Sequence, residues 1–271
     1  MSESIQVKGG KAVAGAVGSG FSSNEATAGH RGASRIVFLR HGQTDFNVQR
    51  RFQGIVDRPL NEVGRGQARA AAEVLASRIV SPSEQIGVSV GPVEDLPGVK
   101  IMSSPLLRAH ETAQILAAAF AKAGLSPDGP HVDERLIERC YGEFEGLTVD
   151  EISTDFLPFL QEWRRTGESE AAGIEPSNEC GRRMEEATVE AAATCPDGAT
   201  LVVVSHGSAI TRALVTFMGL DPLTFDALKG LDNCHWSELV FAGGGGSGAS
   251  GDGSWRLAAH NIGAREDVLG A

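Results

Sequence analysis

The run Leu39-Arg40-His41-Gly42-Gln43-Thr44-Asp45-Phe46-Asn47 places an imidazole, a guanidinium and an amide side chain within nine residues. A neutral imidazole is a competent nucleophile toward phosphorus, and neighbouring cationic groups disfavour the imidazolium and so keep the ring neutral near pH 7. Arg40 can hold phosphate oxygens through its planar fork, which a lysine could not copy. Gly42 lets the backbone approach closely. Further along, His206 and Gly207 follow the most apolar run of the chain and open a helical pattern. A phosphate placed at Gly207 would meet backbone N–H groups and the positive end of a helix dipole. His206 itself can donate a hydrogen bond to a phosphoryl oxygen as charge builds. Cleaving a phosphate ester also needs an acid for the leaving oxygen and then a base for water, and one carboxylate can do both in turn. Glu138, Glu143, Glu145 and Asp45 are the acidic candidates.

The elements that must position these groups follow from periodicity. Arg35-Ile-Val-Phe-Leu39 reads as a strand buried on both faces. Asn61 caps a helix that runs through Gln67 to Leu75. Val99 to Met102 is the next strand, after which Ser104 caps a helix with Pro105 at its first position and Arg108 in its first turn. Val132 to Leu136 reads as another strand, and residues 149–165 and 178–194 as helices. Leu201 to Val204 is the clearest buried strand, with a helix from Gly207 to Met218 behind it. Trp236 to Phe241 and Trp255 to His260 read as late strands. Alternating strands and helices predict an α/β fold, a three-layer α/β/α sandwich on a mostly parallel sheet. Functional loops in such sheets gather at the carboxyl ends of strands, which is where every motif above falls.

A chain of 271 residues with 41% apolar residues supports one sizeable core. Its formal charge of -11 excludes a general nucleic-acid or acidic-membrane binder, although a few convergent arginines can still hold a phosphate. Cys140, Cys180, Cys195 and Cys234 form no metal or disulfide pattern, so free thiols are expected and no metal or cofactor. No stretch is long enough to span a membrane and no compact export signal opens the chain, which makes the cytoplasm the default compartment. Residues 1–34, rich in Gly, Ala and Ser, read as a disordered leader to a single domain over 35–264. Within that domain 79–98 reads as a surface insertion and 243–254 as a Gly/Ser-rich loop, with 265–271 a tail.

The first run, extended by Arg51-Phe-Gln53-Gly54, Asp57-Arg-Pro59-Leu60, Gly64 and Gln67-Ala68, resembles the signature of the histidine phosphatase superfamily, the phosphoglycerate mutase-like proteins. Three further blocks carry the resemblance in order: Ser103-Ser104-Pro105-Leu106-Leu-Arg108-Ala109 with Thr112-Ala113, then Leu136-Ile-Glu138 with Tyr141-Gly142-Glu-Phe-Glu145-Gly146, then Ser205-His206-Gly207 with Arg212. It implies the phosphoglycerate mutase-like sandwich, a phosphohistidine on His41, Arg108 as the second phosphate clamp and Glu138 as the acid and base. It also implies that Asn47 gives an amide donor to the phosphate, that Thr44 supports His41 or the phosphate, and that Gln53 and Gly54 lie near substrate. Asn233 is a candidate to reach the site from a late loop.

Mutases of the family usually follow the Gly-Leu with a lysine, whereas Gly146-Leu147 here leads into Thr148-Val149-Asp150-Glu151. The stretch Glu175-Pro-Ser-Asn-Glu179 loosely resembles the Gly-Gly-Glu-Ser of the phosphatase branch without its glycines, which leaves Glu179 an open candidate. The expected function is therefore a phosphomonoesterase for a small phosphorylated metabolite, a sugar phosphate or phosphoglycerate-type ester. The alternatives are a cofactor-dependent phosphoglycerate mutase and a non-catalytic phosphate-binding scaffold. The expected partner is that small-molecule ester, and a homodimer is the assembly left open.

Overall fold

The computed structural model describes residues 32–80, 98–243 and 253–264. Six strands form one sheet in the order β3-β2-β4-β1-β5-β6. They are β1 (Arg35–Arg40), β2 (Val99–Ser103), β3 (Pro127–Val132), β4 (Thr200–Ser205), β5 (Trp236–Ala242) and β6 (Ser254–Ile262). The first four are parallel, while β5 and β6 join as antiparallel strands on the β1 side.

Alternation along the central strands separates two cores. Ile36 and Phe38 of β1, with Leu201 and Val203 of β4, face α6 (Ser177–Ala193) and α7 (Gly207–Phe217). Val37 and Leu39, with Val202 and Val204, face α2 (Glu62–Val80) and α3 (Leu107–Lys122), while the short α1 (Asp45–Val48) lies in the loop after β1. Both faces of the sheet are thus covered, and the three-layer sandwich follows from period two in the strands. A third, smaller cluster of Phe144, Ile152, Leu160, Ala172 and Ile174 lies under Phe52 and Trp163. It is built from α4 (Val149–Asp155), α5 (Leu157–Thr166) and their flanking loops. Among the described residues no helix is long and apolar enough to cross a membrane.

Four local expectations change. The strand expected over Val132 to Leu136 lies earlier, at Pro127–Val132, and Glu134–Leu136 is a 3-10 turn capped by Asp133. Its two prolines disguised it, yet they are tolerated because β3 is an edge strand. The helix expected over 149–165 breaks at Phe156, since Pro158 has no N–H with which to continue the first helix and sits in the opening turn of the second. Ser104 does not cap the helix at Pro105. That helix starts at Leu107 with Leu106 at its N-cap, and Asp57 Oδ1 accepts the Leu107 N–H at 2.8 Å. Order also begins before residue 35: Ala33 is buried, and the Gly32 N–H donates to Asp197 Oδ1 at 2.9 Å. At the insertion, Ile79 and Val80 end α2, while 81–97 lie outside the described residues, as do 1–31, 244–252 and 265–271. Asn61 does cap α2, its Oδ1 accepting from the Gly64 N–H at 2.9 Å.

Candidate active site

Strand register assembles the site. Arg40 pairs with Ser205 across the parallel ladder, and the His41 N–H donates to the Ser205 carbonyl at 3.0 Å. His41 and His206 therefore leave adjacent strands side by side, with ring centroids 5.1 Å apart. On the other side of β4, the Ser104 N–H donates to the Val204 carbonyl at 3.0 Å, which brings the start of α3 to the same edge. Arg40, His41, Asn47, Gln53, Gly54, Arg108, Glu138 and Gly207 line one cavity of 260 Å³, together with Tyr141, Ser208 and Leu231. His206 stands behind His41. Thr44 is buried beneath the floor, where its hydroxyl bonds Gln53 Oε1 at 2.9 Å.

His41 is held in one tautomer. Its Nδ1 lies 2.7 Å from the Gly42 carbonyl oxygen, which can only accept, so Nδ1 carries the proton and Nε2 the lone pair. Burial, then Arg108, then Arg40 push its pKa well below the ordinary histidine value. His206 is shifted the same way by burial, Arg108 and His41. Both rings are neutral at physiological pH, the state a nitrogen nucleophile needs.

Backbone acceptors fix the arginines. Arg108, fully buried, donates Nη1 to Val56 O at 2.9 Å and Nη2 to Gly54 O at 2.7 Å. Burial lowers its pKa to about 10, so it stays a cation at neutral pH. Arg40 Nη1 donates to Leu231 O at 2.6 Å. Ser104 accepts the Leu106 N–H at 3.3 Å and lies 2.7 Å from His206 Nε2. In the tautomer where the hydroxyl proton goes to Nε2, His206 keeps Nδ1–H as a donor. Among the described residues, Arg40 Nε, Arg108 Nε and His206 Nδ1 are buried with no protein partner. Leaving such groups unpaired costs on the order of 1–3 kcal/mol each, so three around one imidazole mark a place built for an oxyanion.

Asn47 Oδ1 is engaged by the Thr44 N–H at 3.0 Å and by Asn233 Nδ2 at 3.3 Å, which leaves its own NH₂ for the cavity. Asn233, the late-loop candidate, also donates to the His41 carbonyl at 3.1 Å. Glu138 departs from expectation in an instructive way. Its Oε1 accepts the Ala209 N–H at 2.9 Å and its Oε2 the Ser208 N–H at 3.3 Å. The carboxylate, not a phosphate, therefore takes these two N–H groups at the start of α7, while Gly207 itself lines the cavity. Gly42 is needed for a different approach than a ligand's: a Cβ there would collide with the Gly64 carbonyl oxygen. Glu179 is exposed at the start of α6 and away from the cavity lining, whereas Glu175 bonds the backbone at Cys140. Sequence reasoning missed three supports. Thr112 Oγ1 accepts the Gly42 N–H at 3.2 Å, Ser104 orients His206, and the Leu231 carbonyl seats Arg40. The Ser-Ser-Pro and Thr112 positions of the second block were the available signal.

The comparisons agree with this architecture. The profile of the histidine phosphatase superfamily (branch 1) matches residues 36–250. Glucosyl-3-phosphoglycerate phosphatase of Mycobacterium tuberculosis (strain H37Rv) is 34% identical over 252 residues, covering 88% of this chain and 99% of that protein. Probable phosphoglycerate mutase GpmB of Serratia proteamaculans is 29% identical over 210 residues, covering 76% and 84%. Among solved structures, mycobacterial glucosyl-3-phosphoglycerate phosphatase in complex with VO3 superposes with a TM-score of 0.65 at 33% identity, covering 84% of this chain and 99% of that one. Its complex with inorganic phosphate gives 0.64 at 31%, covering 86% and 99%. With a match over most of its length and the sheet, register and strand-end histidines described above, this chain belongs to the histidine phosphatase superfamily.

Proposed function

We propose that the chain is a phosphomonoesterase that passes the phosphoryl group of a small phosphorylated metabolite to His41 Nε2 and then to water. The observation that carries this reading is the group of orphaned donors on Arg40, Arg108 and His206 around a neutral, tautomer-fixed imidazole. In the first step the Nε2 lone pair forms the N–P bond, the P–O ester bond breaks, and Glu138 gives its proton to the leaving oxygen. In the second, Glu138 takes a proton from water, the water oxygen bonds phosphorus, and the N–P bond breaks to release inorganic phosphate. Arg40, Arg108, Asn47 and His206 stabilise the charge on the equatorial oxygens throughout. Thr44 acts indirectly, by holding Asn47 and Gln53.

A larger cleft of 940 Å³ supports a sizeable leaving group of the sugar-phosphate or phosphoglycerate type. It is lined by Trp163, Arg164, Arg165, Glu168, Arg212 and Pro222 to Asp226. Arg212 lies one helical turn from Ser208 of the catalytic cavity, and Trp163 packs on Phe52 of the same cavity with centroids 5.4 Å apart. The mycobacterial relatives named for glucosyl-3-phosphoglycerate suggest an ester of that class. Phosphate release should be followed across a panel of sugar phosphates, phosphoglycerates and a glycosylated phosphoglycerate, with wild type against His41→Ala. The reading expects hydrolysis by the wild type alone, steepest for the glycosylated ester. Equal slow turnover by both proteins would refute it, and primer-dependent interconversion of phosphoglycerates without net phosphate release would replace it with a mutase.

A further inference from the structure

Glu138 stands on backbone that neither sheet nor helix places. After the 3-10 turn Glu134–Leu136, residues 137–141 belong to no helix or strand. Their carbonyls must find partners elsewhere, because buried backbone acceptors left unpaired are costly. One side chain from α6 meets two of those needs, and a third in the turn before them. Arg183 Nη1 donates to Arg135 O and to Ile137 O, each at 2.7 Å, and Nη2 donates to Glu138 O at 3.2 Å. The same guanidinium is held by Glu175, with Nε to Oε1 at 2.6 Å and Nη2 to Oε2 at 2.9 Å. Glu175 in turn grips the far side of the segment. Its Oε2 accepts the Cys140 N–H at 3.2 Å, its own N–H donates to Cys140 O at 3.0 Å, and its carbonyl accepts from Arg139 Nε at 2.7 Å.

We infer that the Arg183–Glu175 ion pair is the positioning device for the proton carrier, fixing the backbone on both sides of Glu138 so that its carboxylate meets the leaving oxygen. The inference rests on the phosphoryl-transfer reading above and adds residues outside the cavity lining. Arg183 touches no substrate. It is suited to the task because a planar fork can bind three carbonyls and a carboxylate at once, whereas a lysine supplies one point of charge. Side chains of both partners are mostly buried, 16% and 17% exposed, so the pair is shielded from solvent screening.

A general acid matters in proportion to the basicity of the leaving group, and this gives the test. For Arg183→Lys, Arg183→Gln and Glu175→Gln, kcat/KM is measured on a series of phosphate monoesters from p-nitrophenyl through phenyl to alkyl phosphate. The parameter kcat/KM reports transfer to His41 and is unaffected by later hydrolysis of the phosphohistidine. The expected loss grows along the series, from about two- to threefold for the nitrophenyl ester to about 100-fold for the alkyl ester. Lysine should restore little, because it keeps the charge and loses the fork. An equal loss on every ester, or an alkyl loss below threefold, overturns the inference while leaving the phosphatase reading intact. A wild-type protein that hydrolyses none of the esters overturns the reading itself. Should Arg183→Gln fail to fold, the slopes of the other two variants decide the matter.

Discussion

The two walls of the catalytic cavity are built by different means. The phosphate wall is continuous with the central sheet: Arg40 and His41 extend β1, His206 extends β4, and Arg108 sits in the second position of α3. Each is seated by ladder or carbonyl bonds and surrounded by the two large cores. The other wall carries Phe52 and Tyr141, which belong to the small aromatic lobe, with Trp163 packed behind Phe52. Phe52 there meets Tyr141, Phe144 and Trp163 edge-on with centroids 5.0, 5.8 and 5.4 Å apart. Glu138 lies at the seam, carried by irregular backbone and docked on the start of α7. Under the proposed reading, chemistry common to all phosphate esters sits on the sheet-borne wall, and the lobe is free to vary with the alcohol. Substitutions on the first wall should lower turnover of every ester, and those on the second should discriminate among esters.

The largest break in that contrast should come from His41→Ala. It removes the nucleophile and is expected to lower kcat by at least about 10⁴-fold on every ester, measured by phosphate release. Glu138→Gln should cost about 10²- to 10⁴-fold, with the larger losses on alkyl esters. Arg108→Lys keeps a cation but loses the fork that binds Gly54 and Val56, and kcat/KM should fall about 10²- to 10³-fold uniformly. Trp163→Ala tests the other wall. Loss of its contacts with Phe52 and Phe144 should cost about 2–3 kcal/mol of stability in urea denaturation, yet alter p-nitrophenyl phosphate turnover less than tenfold. A uniform collapse of turnover in Trp163→Ala with unchanged stability would erase the distinction between the walls.

The last effect concerns pH. Both histidine pKa values are depressed in the folded state, so the unfolded chain binds more protons and stability rises with pH up to the ordinary histidine range. As pH falls below about 6.5, each buried imidazole should withdraw about 1.4 kcal/mol per pH unit. Urea midpoints between pH 7.5 and 5 should show this slope, and His41→Asn should remove one proton's share. An unchanged slope in that variant would mean that His41 is not buried neutral.

The same contrast decides what the sequence discloses. Apolar strands ending in His-Gly, and an arginine soon after Ser-Ser-Pro, are local patterns whose consequence is set by parallel register. Arg40, His41 and His206 are therefore legible from residue order, and Arg108 through the family resemblance of its Ser-Ser-Pro block. Groups that depend on a long-range partner are not. Ser104 looks like a helix cap because its use by His206 lies across the sheet. Glu179 draws attention by its motif position, although Glu175 is the carboxylate that bonds Arg183. The helices of the lobe merge into one on hydropathy, which does not register the break that Pro158 imposes after Phe156. Pro127 and Pro130 conceal an edge strand for a related reason, because edge position is a property of the sheet.

The central claim is a covalent bond between His41 Nε2 and phosphorus, and it is most directly tested by rapid acid-free quenching of the enzyme during turnover of a ³²P-labelled ester. The account predicts protein-bound label that survives alkali, is lost in acid, maps to His41 and is absent from His41→Ala. Active wild-type enzyme that accumulates no label on any ester, even when Glu138→Gln slows hydrolysis of the intermediate, or label found on another residue, would contradict it.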